Sequence, residues 1–364
     1  MKYVYKKKIL LLFAFLLDII GNIVFFPFRS LKRRKPGDPR KILLIRCDHI
    51  GDVVAATVVL GPARRAFHWA KIDFLVSSAA SDILRRNPFL DNVMIFDAPW
   101  FKKENAGILV QFRALRQLVS IMRKGGYDLA VDFRGDLRHI TAMFLAGIDR
   151  RIGYGITGGG FLLTREVPYR GLMRETDRNM ELLRSLGVEE RTPDADLVFS
   201  DEDKDAADAL VREAGIDGKY AVLHLVPGHR SKVWDPEKFA SVIRHIVEER
   251  KMVPVIAGSS GDAERTEKVK GLAGAGVVDM TGKTSLGALY YLLSGSALFV
   301  GVDSGPAHIA AATGVPAVIL FSGINDPEQW APRGNNVKLV YPGKGKSLSK
   351  VQPEEVFRAI DGVL

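Results

Sequence analysis

From residue 41 onward the sequence alternates short, continuously apolar runs with amphipathic stretches. That rhythm is the mark of parallel strands buried on both faces by helices. KILLIR (41–46) reads as a strand, DVVAATVVLGPARRAF (52–67) as a helix and KIDFLVS (71–77) as the next strand. NVMIFD (92–97) and YDLAVDF (127–133) repeat the theme. PDADLVFSDEDKDAADALVREAGI (193–216) reads as a hinge into a fresh unit. There YAVLHLVPG, VPVIAGSSGD, VVDMTGKTS, ALFVGVDSG and PAVILFSG supply strand-to-loop transitions, separated by helical patterns at 236–250 and 285–294. The pattern predicts an α/β fold of two doubly wound, Rossmann-like domains, residues 40–195 and 200–340, with a C-terminal tail helix in 341–364. A chain of 364 residues that is 47% hydrophobic has enough apolar material for two cores. The single cysteine, Cys47, rules out an intrachain disulfide, fits a reducing compartment and reads as a packed thiol in an apolar strand.

The net charge of +10 is concentrated: nine of those charges lie in residues 1–41. A nucleic-acid reader would spread basic charge over its folded domains, so no nucleic-acid partner is expected. The charge brackets an apolar stretch, ILLLFAFLLDIIGNIVFFPF (9–28), within an N-terminal segment taken as residues 1–39. Basic flanks attract anionic head groups. Spanning a ~30 Å hydrocarbon core takes about 20 apolar residues, so the length is borderline. Pro-Phe-Arg-Ser follows without a small-residue cleavage site, which argues against a signal peptide. Lys8, Asp18, Asn22 and Arg29 fall near one helical face, and basic residues on both sides give no inside–outside bias. The expectation is a membrane-associated helix lying in or dipping into the cytoplasmic leaflet. A single span and a buried core helix are the alternatives.

Ligands of open parallel sheets bind beyond the carboxyl ends of the strands, so unusual loops there carry the candidate chemistry on the two sides of one cleft. Two loops mislead. GYGITG (153–158) matches G-x-G-x-x-G, but GGFLLTREVPY follows and reads as a strand rather than the helix a dinucleotide site needs. TGKTS (281–285) resembles the end of a P-loop, yet five residues separate Gly276 from Gly282 where four are required. DAD (194–196) reads as a solvated turn, and no His, Cys and carboxylate set has metal-ligand spacing.

GVDSGPAHIAAATGVP (301–316) is more telling. Ser304 or Gly305 can cap a helix with Pro306 in its first turn, and Gly314 and Pro316 end it. A helix N-terminus favours phosphate. Asp303, at the strand tip, can accept hydrogen bonds from ribose hydroxyls, and His308 can reach a phosphate oxygen. In PGHRSKVW (227–234), His229, Arg230 and Lys232 crowd one loop, which suits a departing diphosphate. AGSSGD (257–262) allows close ligand approach, with Asp262 or Glu264 able to hydrogen-bond a base or sugar. In the first half, IRCDHIGDVV (45–54) sets Asp52 where strand turns to helix. It can cap that helix, or take a proton from an attacking hydroxyl; Asp48 and His49 are neighbouring alternatives. Arg134, Arg138 and His139 of DFRGDLRH (132–139) suit anionic groups on an acceptor, or form a surface ion-pair cluster.

KILLIRCDHIGDVVAATVVLGPARRAF, PGHRSKVWDPEKFA and MTGKTSLGALYYLLSGSALFVGVDSGPAHIAAATGVPAVILFSGINDPEQWAP together resemble glycosyltransferase family nine. Its best-known members are ADP-heptose:lipopolysaccharide heptosyltransferases, and the resemblance covers most of 41–340. It implies a GT-B fold and inverting transfer that needs no metal or other cofactor. It also implies an ADP-sugar donor held by the C-terminal domain, and the membrane segment and acceptor-side basic loop favour a lipopolysaccharide core or other lipid-linked glycan as the expected acceptor. Residue by residue it implies Asp52 as base, Lys232 as diphosphate ligand, and Asp303, Ser304, Gly305 and His308 as the nucleotide loop, with Asp262 as a less secure acidic contact. His49, Arg134 and Arg138 are left as acceptor contacts. Asp48-His49 departs from the small hydroxyl residues usual before Ile-Gly-Asp, and Pro227-Gly228 stands where some members have hydroxyl residues. The long apolar N-terminal segment is absent from the simplest members. The expected location is the cytoplasmic face of the bacterial inner membrane. A nucleotide-sugar epimerase and a non-catalytic, membrane-associated sugar-nucleotide binder are the competing readings.

Overall fold

The computed structural model describes residues 2–5, 7–31, 38–101, 107–229, 232–274 and 276–364, with backbone only for 26–31. The chain divides into two units, Met1–Pro193 and Asp194–Leu364.

Unit 1 opens with helix α1 (Lys8–Leu31), followed by β1 (Lys41–Arg46), α2 (Ile50–Thr57), α3 (Leu60–Ala66), β2 (Lys71–Val76), α4 (Asp82–Arg85) and β3 (Asn92–Ile95). Then come α5 (Ile108–Gly125), β4 (Leu129–Asp132), α6 (Leu137–Leu145), β5 (Arg150–Gly153), β6 (Arg165–Glu166) and α7 (Glu175–Arg184). The strands pair in parallel in the order β3-β2-β1-β4-β5-β6. β1 and β2 are buried along five of their six residues, which is why they read as unbroken apolar runs. The order reverses between β1 and β4, so the loops leaving these two strands meet at the switch point where such sheets bind ligands.

Unit 2 repeats the plan: α8 (Asp201–Glu213), β7 (Tyr220–His224), α9 (Pro236–Glu248), β8 (Val253–Ile256), α10 (Ala263–Ala273), β9 (Val278–Asp279) and α11 (Leu286–Ser294). β10 (Leu298–Val302), α12 (Gly305–Thr313), β11 (Ala317–Leu320), α13 (Pro327–Trp330), β12 (Val337–Val340) and α14 (Pro353–Asp361) complete it. Its parallel order is β12-β11-β10-β7-β8-β9, with the reversal between β10 and β7. Trp234, Phe239 and Leu223 centre the core, which α14 joins through Val356 and Ile360. The C-terminal helix is therefore part of this unit's packing.

Three local expectations are corrected. The helix over 52–67 is two helices, because Pro62 has no N–H to donate back along the chain and fits only the first turn of a new helix. The strand expected after GYGITG shrinks to Arg165–Glu166, behind a 3-10 turn at Gly160–Leu162. The polar residues of α1 do not share one environment: Lys8 and Asn22 are exposed, while Asp18 turns inward. Asp18 is buried and accepts hydrogen bonds from Lys2 Nζ (2.7 Å), the Tyr3 hydroxyl (2.9 Å) and Gly159 N (2.7 Å). Gly21 lets the helix approach, since a methyl group there would lie 2.3 Å from the Phe161 ring. GYGITG and the glycines behind it form the seat of α1: Val4 N donates to Ile156 O (3.1 Å), and Gly158 lies against Ala14. Lys6 and residues 32–37, with part of the basic flank, lie outside the described residues, as do Arg230 and the side chain of Arg29.

Candidate active site

In unit 1 the switch point is organised by one buried arginine. Arg46, the last residue of β1, would be prohibitively costly in an apolar strand without partners, and the fold surrounds it with acceptors. Its Nε meets Asp48 Oδ1 at 2.7 Å, Nη2 meets Asp52 Oδ1 at 2.9 Å, and Nη1 meets Glu175 Oε1 at 2.9 Å and donates to Phe133 O at 3.0 Å. Arg134, from the loop after β4, pairs with the other oxygen of Asp48, and Arg178 lies 3.6 Å from Glu175 Oε2. Three cations thus face three carboxylates. α7 is held against α2 by Asn179 Nδ2 donating to Ala55 O (3.0 Å).

Within this cluster the acids are not equivalent. Asp48 is sealed in; burial opposes its charge, but Arg46 and Arg134 outweigh it and hold this carboxyl below its usual range. Asp52, in the first turn of α2, keeps 11% of its side chain exposed. Burial, reinforced by the fixed negative charge of Asp48 and partly opposed by Arg46, pushes its pKa up to about 7. An accessible carboxylate with a pKa near neutrality has the properties of a general base. His49 occupies the cap position of α2, is exposed, and makes no side-chain cap.

Arg134 and Arg138 are brought together over an aromatic pair that carried no sequence signal. Arg134 lies 4.2 Å from the Phe101 ring centroid and Arg138 4.8 Å from that of Trp100. Arg138 also chelates Asp136 (2.8 and 2.6 Å), the cap of α6. His139 does not join them at the surface: it is fully buried, with Nδ1 3.1 Å from Asp132 Oδ1.

In unit 2 the loops after β7 and β10 also meet at their switch point. Lys232 Nζ lies 2.6 Å from Asp303 Oδ2, and Asn325 Nδ2 donates to the same oxygen at 3.2 Å. Ser304 is the cap residue of α12, but its hydroxyl turns back to donate to Val302 O (3.0 Å), so no side chain caps that helix. Gly305 opens α12 with Pro306 beside it, and Gly314 closes it in the left-handed conformation (φ 78°). His308, one turn in, is partly buried, and burial with the charge of Lys232 pushes its pKa down to about 4 against the opposing Asp303. It is a neutral imidazole at physiological pH. Asp262 lies in the loop after β8 and turns inward, accepting from Ser259 N (2.7 Å) and Oγ (2.9 Å) as a capping box. Glu264 stands exposed in the first turn of α10. The TGKTS loop is a turn against the same segment, with Gly282 N donating to Gly258 O (2.8 Å).

Glu175, Arg178 and Asn325 completed these clusters without any motif. The signal available was Arg46 itself: an arginine closing an apolar strand demands several acids, more than the nearby loop alone provides.

Two doubly wound parallel sheets in one chain, each with charged side chains gathered where its strand order reverses, match the architecture of GT-B-like glycosyltransferases. A Veillonella parvula glycosyl transferase of family 9 superposes with a TM-score of 0.77 at 19% identity, covering 89% of this chain and 97% of that one. Escherichia coli heptosyltransferase WaaC with ADP-2-deoxy-2-fluoro heptose gives 0.69 at 18% identity, over 89% and 100%. Among curated proteins, lipopolysaccharide heptosyltransferase 3 of Escherichia coli K12 is 25% identical over 86% of this chain and 95% of its own length. The family model described as glycosyltransferase family 9 (heptosyltransferase) matches residues 115–357. The chain belongs to that family and is a glycosyltransferase.

Proposed function

We propose that this enzyme transfers heptose from ADP-heptose to a lipopolysaccharide core or similar lipid-linked glycan, with inversion and without a metal ion. The observation that carries the reading is Asp52: a carboxylate at a sheet's switch point, largely buried but with 11% of its side chain still exposed, and poised near neutrality by that burial and Asp48. The ADP-heptose analogue bound by WaaC supports the donor class, and the lipopolysaccharide heptosyltransferases among the relatives support the acceptor class.

Asp52 takes the proton of an acceptor hydroxyl as that oxygen attacks the anomeric carbon from the face opposite the diphosphate. The bond from that carbon to the β-phosphate oxygen breaks, and its electron pair leaves with ADP. Lys232 and the open start of α12 receive the developing charge. His308 donates an N–H to a phosphate oxygen, while Asp303, Ser304 and Gly305 line the nucleotide loop. Asp262 contributes only by releasing its capping bonds to Ser259; Glu264 is the free acid beside it. His49, Arg134 and Arg138 meet anionic groups of the acceptor. Residues 9–28 hold the enzyme on the cytoplasmic face of the inner membrane.

The test is mass spectrometry of products from ADP-heptose and heptose-deficient lipopolysaccharide. A heptosylated acceptor, formed equally with and without EDTA, is the expected result. Conversion of donor without acceptor would mean an epimerase, and donor binding without any product would mean a non-catalytic binder.

A further inference from the structure

One face of unit 1 carries more exposed apolar surface than α1 alone. α5 and α6 cover the same side of the sheet, sharing a core cluster in which Ala114, Leu118 and Met122 meet Ile140 and Met143. α1 joins that cluster through Phe25, whose ring lies 5.4 Å from those of Phe144 in α6 and Phe161. With Ala14, Asp18 and Gly21 turned inward, the outer side of α1 presents Leu12, Phe13, Leu16, Ile20 and Ile23, the last 70% exposed. The first turn of α5 projects Ile108, Leu109 and Phe112, exposed by 78%, 69% and 58%. Exposed apolar groups of this size, on two helices that share one core cluster with α6, mark an interaction surface.

Charge identifies the occupant. α5 contains no acid, and Arg113 and Arg116 stand exposed beside Phe112. The one acid of α1 is buried against Lys2, while Lys7 and Lys8 are exposed at its start. Basic residues around apolar ones fit anionic lipid rather than a neutral protein groove. The latch at Asp18, midway along the helix, also fixes the geometry. An α1 standing upright in hydrocarbon would carry its Gly159 loop, and with it unit 1, into the lipid.

We propose that the α1–α5–α6 face is a docking surface for an anionic bilayer, on which α1 lies flat and the first turn of α5 inserts beside it. This rests on the membrane contact proposed above and adds a second point of insertion. Two points hold one side of unit 1 against the lipid, where one helix would leave the unit free to roll about its axis.

The test uses the full chain with vesicles of phosphatidylcholine, with and without phosphatidylglycerol. Leu109→Ser/Phe112→Ser lowers partitioning into the anionic vesicles by about 10-fold or more, the scale of withdrawing two large side chains from lipid. A polarity-sensitive dye on Leu109→Cys, where the native Cys47 is buried, shifts to the blue on the same vesicles. Equal partitioning of the double variant and wild type, or a dye that stays in water while the protein binds, overturns the α5 insertion and leaves the α1 contact standing. Equal binding to both vesicle types overturns the anionic-lipid assignment. If the wild type binds neither, the membrane reading itself is wrong. Activity of the double variant on a deacylated, water-soluble acceptor stays at the wild-type level, which separates lost docking from lost folding.

Discussion

Replacing Asp48 by asparagine tests how the fold sets the reactivity of Asp52. The two carboxylates bind adjacent arms of one guanidinium, at 2.7 Å from Arg46 Nε and 2.9 Å from Nη2. Carboxylates so placed sit about 5–6 Å apart, where a like charge at an effective dielectric near 20 costs about 3 kcal/mol, equivalent to about 2 pH units. Asparagine keeps an oxygen for Arg46 but removes that charge, and it frees the Arg134 guanidinium to act on Asp52 with the same sign. The pKa of Asp52 therefore falls. A general base works in its ionised form, so the wild-type enzyme loses activity as pH drops through about 7. In Asp48→Asn the acidic limb of kcat/KM against pH moves down by about 1–2 units. Asp48 is held ionised throughout, so its own titration does not intrude. Profiles from pH 5.5 to 9 on both proteins, with thermal unfolding as a control for folding, make the comparison. A limb that stays in place, or moves up, would refute the idea that Asp48 tunes this carboxylate.

Asp52→Asn lowers kcat by about 10²–10⁴-fold with ADP affinity unchanged by calorimetry; near-normal turnover excludes it as the base. Lys232→Ala weakens ADP binding by less than the ~10–100-fold that a whole charged hydrogen bond would give, because the lysine is already paired with Asp303, and it lowers the melting temperature because Asp303 is left buried without its cation. His308, held neutral by burial and Lys232, gains an anionic neighbour when ADP arrives, which raises its pKa. Calorimetry near pH 6 in buffers of different ionisation enthalpy then shows proton uptake on binding, absent in His308→Ala. Wild-type binding without proton uptake means that His308 does not meet the phosphates.

The two-sheet architecture was legible because central parallel strands are buried on both sides and leave unbroken apolar runs such as KILLIR. The edge strands were legible in place but not in extent: GGFLLTREVPY and VVDMTGKTS read as strands, yet β6 and β9 keep two residues each, and β12, which alternates in exposure, left no buried run to read. At the site, Asp52, Lys232 and Asp303 stood out because each closes or follows a strand. Glu175 could not be read in the same way. It sits on a helix more than a hundred residues from Arg46, and only the crossing of α7 over α2 brings them together. Asp18 was legible as an oddity but not as a latch, since the partner that ties it to the sheet domain, Gly159 N, is a backbone group with no identity in the sequence.

The two switch points share a design in which, among the described residues, Arg46, Asp48, Asp52, Lys232 and Asp303 already have partners of opposite charge. Lys232 is held by Asp303, and Asp303 by both Lys232 and Asn325. An incoming diphosphate competes with a carboxylate for the same ammonium, so the lysine contributes the difference between two pairings rather than the whole of one. Asn325 can keep one oxygen of Asp303 satisfied while the lysine turns away, which lowers the cost of that exchange. The ammonium is thereby kept folded and ordered before the ligand arrives, and it is strongly drawn only to an anion that outcompetes a single carboxylate. A diphosphate meets that condition better than a monophosphate does. On this reasoning Asn325→Ala costs more in ADP affinity than in AMP affinity, because only the diphosphate pulls Lys232 fully from Asp303. Equal losses for the two nucleotides would show that Asn325 merely shapes the loop.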